Sequence, residues 1–316
     1  MTKQVFVGVD VSKKHLDFTW LPEAATYRCE NTEEGIQTLI EAIADLSVGL
    51  VTLEATGGYQ NLLVSMLHQA NLPVAVVNPR QVRDFAKAAG RMAKTDRLDA
   101  LIIARYGQTM KPEAQPPSSQ ERTDLRSLTL RREQLVMLRQ MERNHLENAG
   151  LQSRRSIEEV MGLLSAQITA IEKEIKAIIT SQTELREQYE IITSVPGAGP
   201  ILAAMLLAAM PELGRINRKK AAALAGVAPF NHDSGQKQGR RHVVGGRAKI
   251  RNVLYMATIV AIRFNLKFKE FHEKLVSAGK AKKVAPVACM RKMIVIINTL
   301  VKNKVKWIPD NLKPNS

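Results

Sequence analysis

Cysteine is scarce in this chain. The 316 residues hold two, Cys29 and Cys289, in unrelated contexts and without CxxC spacing. That pattern excludes a disulfide framework and a zinc ribbon, and it predicts a reducing, cytoplasmic setting. Aromatic residues are also few, at 4%. With Ala, Leu, Ile and Val dominant, this favours helices and a compact α/β unit over a β-sandwich. No uninterrupted apolar run reaches the roughly 18 residues that a membrane-spanning helix needs. The longest candidate, 201–210, is too short, so no membrane partner is expected. The opening MTKQVFVGVD lacks a basic segment followed by an apolar core, so no secretory leader is expected.

Acids are missing from the last third. Residues 191–316 carry 23 Lys and Arg against 5 Asp and Glu, whereas 1–110 carry 11 against 12 and 111–190 carry 12 against 13. Solubility does not require such segregation. A polyanion does, because each phosphate neutralised by Lys or Arg releases a counterion. An anionic membrane surface is the competing partner, but no strongly amphipathic surface helix supports it.

The chain divides into three stretches, and the fold class they predict is α/β plus all-α. Within 1–110, Val5, Val7 and Val9 alternate with Phe6, Gly8 and Asp10, as on a strand. Residues 15–21 and 26–31 continue a meander. A helical period follows over 32–46, capped by Asn31 or Thr32. Strand 50–54, helix 59–70, strand 73–77 and two helices broken near Gly90 complete the stretch. Three strands, a helix, then alternating strand and helix is the order of a ribonuclease H-like fold. Residues 111–118 form a Pro-rich linker. Beyond it, Ile157, Met161, Leu164, Ile168, Ile171, Ile175 and Ile178 are spaced 4, 3, 4, 3, 4, 3, a heptad seam. With the helix around 125–146 this predicts a helical coiled-coil hairpin within 111–190. It either packs on itself or joins subunits. Residues 191–316 read as a basic, mostly helical domain.

Four carboxylates stand out. Asp10 lies on the first strand and Glu54 ends the fourth, and these strands are neighbours in a ribonuclease H-like sheet. Asp96 and Asp99, in KTDRLDA, share one helix face at i, i+3. Clustered carboxylates stay ionised together only with cations, and oxygen-only ligands suit Mg²⁺ or Mn²⁺. Taken singly, each acid is an ordinary surface residue.

A second constellation covers 231–257. Ser234 lies in a polar, Gly-rich loop, with Lys237, Arg240, Arg241, Arg247, Lys249 and Arg251 around it in sequence. Nearby cations would activate a serine hydroxyl, although DSG is also a common turn sequence. Tyr255, in the apolar VLYMATIV, reads as core. His232 and His242 lack zinc-ligand spacing. SVPGAGP at 194–200 reads either as a phosphate-binding hairpin between helices or as a cap that permits tight packing. In the first stretch, Lys13, Arg80, Arg83, Lys94 and Arg97 are available to nucleic acid.

Several motifs then converge. GVDVSK (8–13), LEATGGY (53–59), NPRQVRDFAKA (78–88) and KTDRLDA (94–100) resemble the N-terminal domain of the DEDD transposases of the insertion sequence 110 family. VPGAGP (195–200), LAGVAPF (224–230), SGQKQGRR (234–241) and GRAKIRNVLYMA (246–257) resemble its C-terminal domain. Piv-type DNA invertases share the pattern. The resemblance implies a prokaryotic protein with a RuvC-like first domain. Asp10, Glu54, Asp96 and Asp99 would be its metal-holding carboxylates, and Ser234 its nucleophile. It further implies a structured guide RNA, donor and target DNA as partners, and a homo-oligomer joined through the helical hairpin. The rivals are a junction-resolving nuclease that uses water and a nucleic-acid-binding protein without chemistry.

Overall fold

The computed structural model describes residues 4–90, 96–117, 119–230 and 242–308, leaving out the side chains of 96–98. The chain forms two compact units, 1–118 and 119–316.

The first unit contains β1 (Val5–Val11), β2 (His15–Leu21), β3 (Thr26–Glu30), α1 (Glu33–Ala42), β4 (Val48–Glu54), α2 (Asn61–Gln69), β5 (Val74–Val77), α3 (Pro79–Ala88) and α4 (Asp96–Met110). Its sheet has the order β3-β2-β1-β4-β5. The β1–β2 and β2–β3 pairs are antiparallel, while β1–β4 and β4–β5 are parallel. The first and fourth strands are therefore neighbours, as the element order predicts.

Strand alternation gives the sheet two different faces. Val7, Val9, Leu16 and Leu53 point into one core with Ile36 and Leu39 of α1 and Leu63 and Leu67 of α2. Leu50, Ala75 and Val77 point the other way, into a core with Val82 of α3 and Ile102, Ile103 and Tyr106 of α4. Burying each such side chain contributes about 1.5–3 kcal/mol. Helix α1 ends at Ala42, four residues before the predicted end. The apolar spacing runs on because Ile43, in the turn, still fills the core at 1% exposure.

The second unit begins with α5 (Gln120–Glu147) and α6 (Leu151–Ser181), which form an extensive antiparallel contact. All seven seam residues from Ile157 to Ile178 are buried or half-buried. Leu164 and Ile168 pack against Leu135 of α5. The middle of the seam thus packs within the hairpin, while Ile175 and Ile178 join the common core of the unit.

Next come α7 (Thr183–Ser194), α8 (Pro200–Ala209), α9 (Arg218–Leu224), the short strands β6 (Pro229–Phe230) and β7 (His242–Val243), α10 (Ala248–Phe264), α11 (Leu266–Ser277) and α12 (Val284–Asn303). Helix α8 is the hydrophobic centre, with seven consecutive buried residues from Leu202 to Ala208. By length and composition alone α12 could cross a membrane, with a mean hydropathy of 1.7. No uninterrupted run reveals this in the sequence, because Arg291 and Lys292 split it. In the fold, Cys289, Met290, Met293, Ile294 and Ile297 of this helix are buried in the common core of the unit, as befits the core helix of a bundle.

Candidate active site and nucleic-acid interface

The face of the sheet beneath α4 gathers the acids. Phe6, Gly8 and Asp10 alternate with the core residues Val5, Val7 and Val9, so they point toward α4. Gly8 touches that helix directly, since a β-carbon there would overlap the carbonyl oxygen of Ala100 and the amide nitrogen of Ala104. On β4, Leu50, Thr52 and Glu54 take the same face. A β-carbon on Gly107 would overlap the hydroxyl of Thr52. Two glycines, one on the sheet and one on the helix, thus let α4 lie against the strands.

Strand register completes the placement. Gly8 pairs with Thr52 and Val9 with Leu53, so the next step sets Asp10 beside Glu54. Both acids are half-buried, as is Asp99, which immediately precedes Ala100 on α4. The side chain of Asp96 lies outside the described residues. Asp10, Glu54 and Asp99 each have a polar or electrostatic partner in the protein. Among the described residues, no three His, Cys, Asp or Glu side chains form a group that would hold a metal ion.

Two residues that sequence reasoning missed hold the loops beyond these strand ends. The Asn31 side-chain amide donates to the carbonyls of Ser12 and Tyr59, at 2.9 and 3.1 Å. It thereby ties the turn after Asp10 to the loop after Glu54. Gln60, 6% exposed, accepts from the amides of Thr56 and Gly58 through Oε1. Neither role is legible in sequence, since Asn31 reads there as a candidate helix cap, a place that Thr32 takes, and Gln60 reads as solvated surface.

Lys13, Arg80 and Arg83 are exposed, and Arg80 lies 3.8 Å from Asp84 one turn away. Lys94 and the side chain of Arg97 lie outside the described residues.

Ser234, Lys237, Arg240 and Arg241 also lie outside them. Phe230 pairs with His242, so the two ends of the 231–241 segment are adjacent. A β-carbon on Gly246 would overlap the Cα of Gly226, and both glycines have positive φ. That close crossing lies just before the start of α10.

The three basic residues that follow are held by protein groups. Arg247 donates to both carboxylate oxygens of Glu212 (2.7 and 2.9 Å) and to the carbonyl of Ala209 (2.7 Å). Burial pushes the Glu212 carboxyl up, but the hydrogen bonds and charge of Arg247 outweigh it and hold the group below its ordinary range. Lys249 pairs with Glu133 at 3.1 Å. Arg251 donates to the carbonyl of Gly245 at 2.9 Å.

The structure corrects the reading of Tyr255. It is not core but 45% exposed, because α10 buries the opposite stripe, Ile250, Leu254, Ala257 and Ala261. At the α7–α8 turn, a β-carbon on Gly197 would overlap the backbone of Ala257 and Ala261. The small residue there serves helix packing.

Comparisons with known proteins bear on the family of the chain. A DEDD transposase model of IS110, described as Transposase, matches residues 7–152. A second model, described as Transposase IS116/IS110/IS902 family, matches residues 189–273. The pilin gene-inverting protein of Moraxella bovis is 27% identical over 309 residues, covering 95% of this chain and 96% of the relative. The insertion element IS900 uncharacterized 42 kDa protein of Mycobacterium paratuberculosis is 24% identical, with 98% of each chain covered. A solved T. thermophilus RuvC in complex with a Holliday junction substrate matches 36% of this chain and 99% of its own, at 15% identity and a TM-score of 0.28. The two family models follow one another in chain order and together take in more than half of the residues. The chain belongs to the IS110 family of transposases, enzymes that cut and rejoin DNA.

Proposed function

We propose that this protein is an RNA-guided recombinase of an insertion element, cutting DNA with a carboxylate-held metal and a serine nucleophile. The observation that carries the reading is the adjacency of Asp10 and Glu54 on the α4 face of the sheet, with Asp99 on α4 itself.

Mg²⁺ or Mn²⁺ would be held by Asp10, Glu54, Asp96 and Asp99. The donor set fits, because it offers only the hard oxygens these cations prefer. When bound, the ion supplies Lewis-acid polarisation of a phosphate oxygen.

Ser234 Oγ attacks the scissile phosphorus as its P–O3′ bond breaks. The 5′-phosphate becomes esterified to the serine, and the departing 3′ oxygen takes a proton. A 3′-hydroxyl of the partner strand then attacks the phosphoserine, and the serine oxygen leaves and regains its proton. One phosphodiester replaces another, so no nucleotide hydrolysis is needed. Lys237, Arg240, Arg241 and the exposed Lys13, Arg80 and Arg83 hold backbone phosphates of DNA and guide RNA. The basic balance of residues 191–316 supports both partners.

The hairpin supports a homo-oligomer. Its outer face leaves Met137, Met141 and Leu163 exposed at 60%, 54% and 60%. A DNA invertase is the second reading, favoured by the near full-length match to a pilin gene-inverting protein.

Covalent trapping tests the chemistry. The protein, Mg²⁺, element-junction DNA and co-expressed RNA are incubated and resolved on a denaturing gel. A protein–DNA adduct lost in both Ser234→Ala and Asp10→Asn is expected. Cleavage that survives Ser234→Ala without an adduct would establish a water-using nuclease instead. Sequencing the co-purified RNA tests guidance, and a random population overturns it.

A further inference from the structure

We propose that the cleft between α10 and α12 binds a single unstacked nucleobase of a single-stranded nucleic acid. The cleft has a volume of about 350 Å³ and is lined by Arg251, Asn252, Tyr255 and Met256 of α10 and by Val287 and Met290 of α12. That volume is at the small end of the range for sites that take small organic ligands, about 300–1,000 Å³. It has room for one planar base but not for a duplex.

The lining chemistry suits a base. The Tyr255 ring is 45% exposed and Met256 61%, so a flat aromatic surface and a polarisable thioether stand open on one helix. Every base has a π face, and stacking on aromatic side chains is the usual way proteins hold unpaired nucleotides. Asn252, exposed one helical turn before Tyr255 and Met256, is on the same side of the helix. Its amide offers one acceptor and two donor hydrogens to a base edge. Arg251 also lines the cleft and is held by its bond to Gly245, which sets a cation beside the apolar lining.

Charge favours a nucleic acid over a neutral protein segment. Helices α10 and α12 carry six Lys and Arg and no Asp or Glu; Arg251 lines the cleft itself, and Lys249 is paired with Glu133. An apolar cleft walled by two helices without an acid attracts a polyanion and repels nothing on it.

The inference rests on the family's nucleic-acid substrate but not on the serine chemistry. The test is fluorescence anisotropy with the full chain in EDTA, so that no strand is cut. The probes are a 12-nucleotide single-stranded DNA, the same sequence as RNA, and the DNA duplex. Tyr255→Leu keeps the apolar bulk and removes the ring. It is expected to weaken single-strand binding about tenfold, within the range for loss of one stacked base, while duplex binding holds. Tyr255→Phe is expected to restore the affinity, and Asn252→Ala to weaken it several-fold. Whichever of DNA and RNA shows the larger loss is the strand the cleft holds.

Equal single-strand affinity for wild type and Tyr255→Leu overturns the proposal, as does an equal loss on the duplex. A change of oligomeric mass with no change in oligonucleotide binding also overturns it and assigns the face to a second copy. Unaltered thermal unfolding of Tyr255→Leu excludes misfolding as the cause. Failure here leaves the trapping result for Ser234 untouched, and a missing adduct leaves this binding result standing.

Discussion

Gly8 lies directly against Ala100, with no room for a β-carbon between strand β1 and the backbone of α4. Asp10 is two residues beyond Gly8 on the same face, and Asp99 is one residue before Ala100. The glycine contact therefore sets how closely a helix-borne acid and a strand-borne acid approach, although neither glycine nor alanine has any chemistry of its own. Gly107 against Thr52 repeats the device one strand over.

Gly8→Ala is accordingly expected to cost stability and activity together. The added methyl meets backbone, which cannot rotate aside, so the first unit should lose about 1–3 kcal/mol. Metal-dependent cleavage should fall with it, because α4 must move away from β1. Gly162→Ala is the control. That glycine is in mid-α6 with no atom within 4 Å of its added β-carbon, so the change should stabilise by about 0.5–1 kcal/mol. Denaturant melts of the two variants check the pair. Equal stability of Gly8→Ala and wild type would mean that the helix rests elsewhere.

The hairpin makes a sharper contrast between adjacent residues. Leu164 is 9% exposed in the seam and Leu163 60% exposed on the outer face. Leu164→Ala should cost about 2–4 kcal/mol. Leu163→Glu should leave the hairpin folded but lower the mass in solution of the homo-oligomer proposed above. Circular dichroism melts and light scattering separate the two effects. A Leu163→Glu protein with unchanged mass would place the subunit interface on another surface.

Periodicity explains what sequence could and could not reveal. Strand β2 and the α6 seam were legible to the residue because alternation and heptads record burial on one side of an element. The nearness of Asp10 and Glu54 was legible because strand order makes β1 and β4 neighbours. Tyr255 was misread because α10 is apolar nearly all round, and composition cannot tell its buried stripe from its open one. The roles of Asn31 and Gln60 were invisible because their partners are backbone groups, which no side-chain pattern records. Arg247 looked available for phosphate because its partner Glu212 is far away in sequence.

Cys29 gives a chemical test of the sheet edge. Burial, then the negative charge of Asp17, push its thiol up to about 11. Asp17 is 6% exposed and held by a two-point contact with Arg28, at 2.8 and 2.9 Å. Alkylation by iodoacetamide should be slow at pH 8 and rise with pH toward about 11. Asp17→Asn should move the midpoint only part of the way down, because burial is the larger cause. Rapid alkylation of the native protein at pH 8 would show the strand edge to be more open than this.

Arg247 separates a fold role from a ligand role. Its two-point contact with Glu212 is 34% exposed on each side, so Arg247→Lys should cost about 1–2 kcal/mol once solvent screening is allowed for. The Glu212 carboxyl is held below its ordinary value of 4.5 by Arg247. A group with a depressed folded value stabilises above the unfolded value, and this contribution disappears as pH falls through the folded one. Stability should therefore drop on acidification below about 4.5, and Glu212→Gln should remove that part of the slope. If Arg247 instead met a backbone phosphate, replacing it with Ala would lower the salt dependence of duplex binding by about 0.9 in the log–log slope. The ion pair predicts an unchanged slope with reduced stability. Measuring both on one variant decides whether this arginine holds the fold together through Glu212 and Ala209 or reaches the nucleic acid itself.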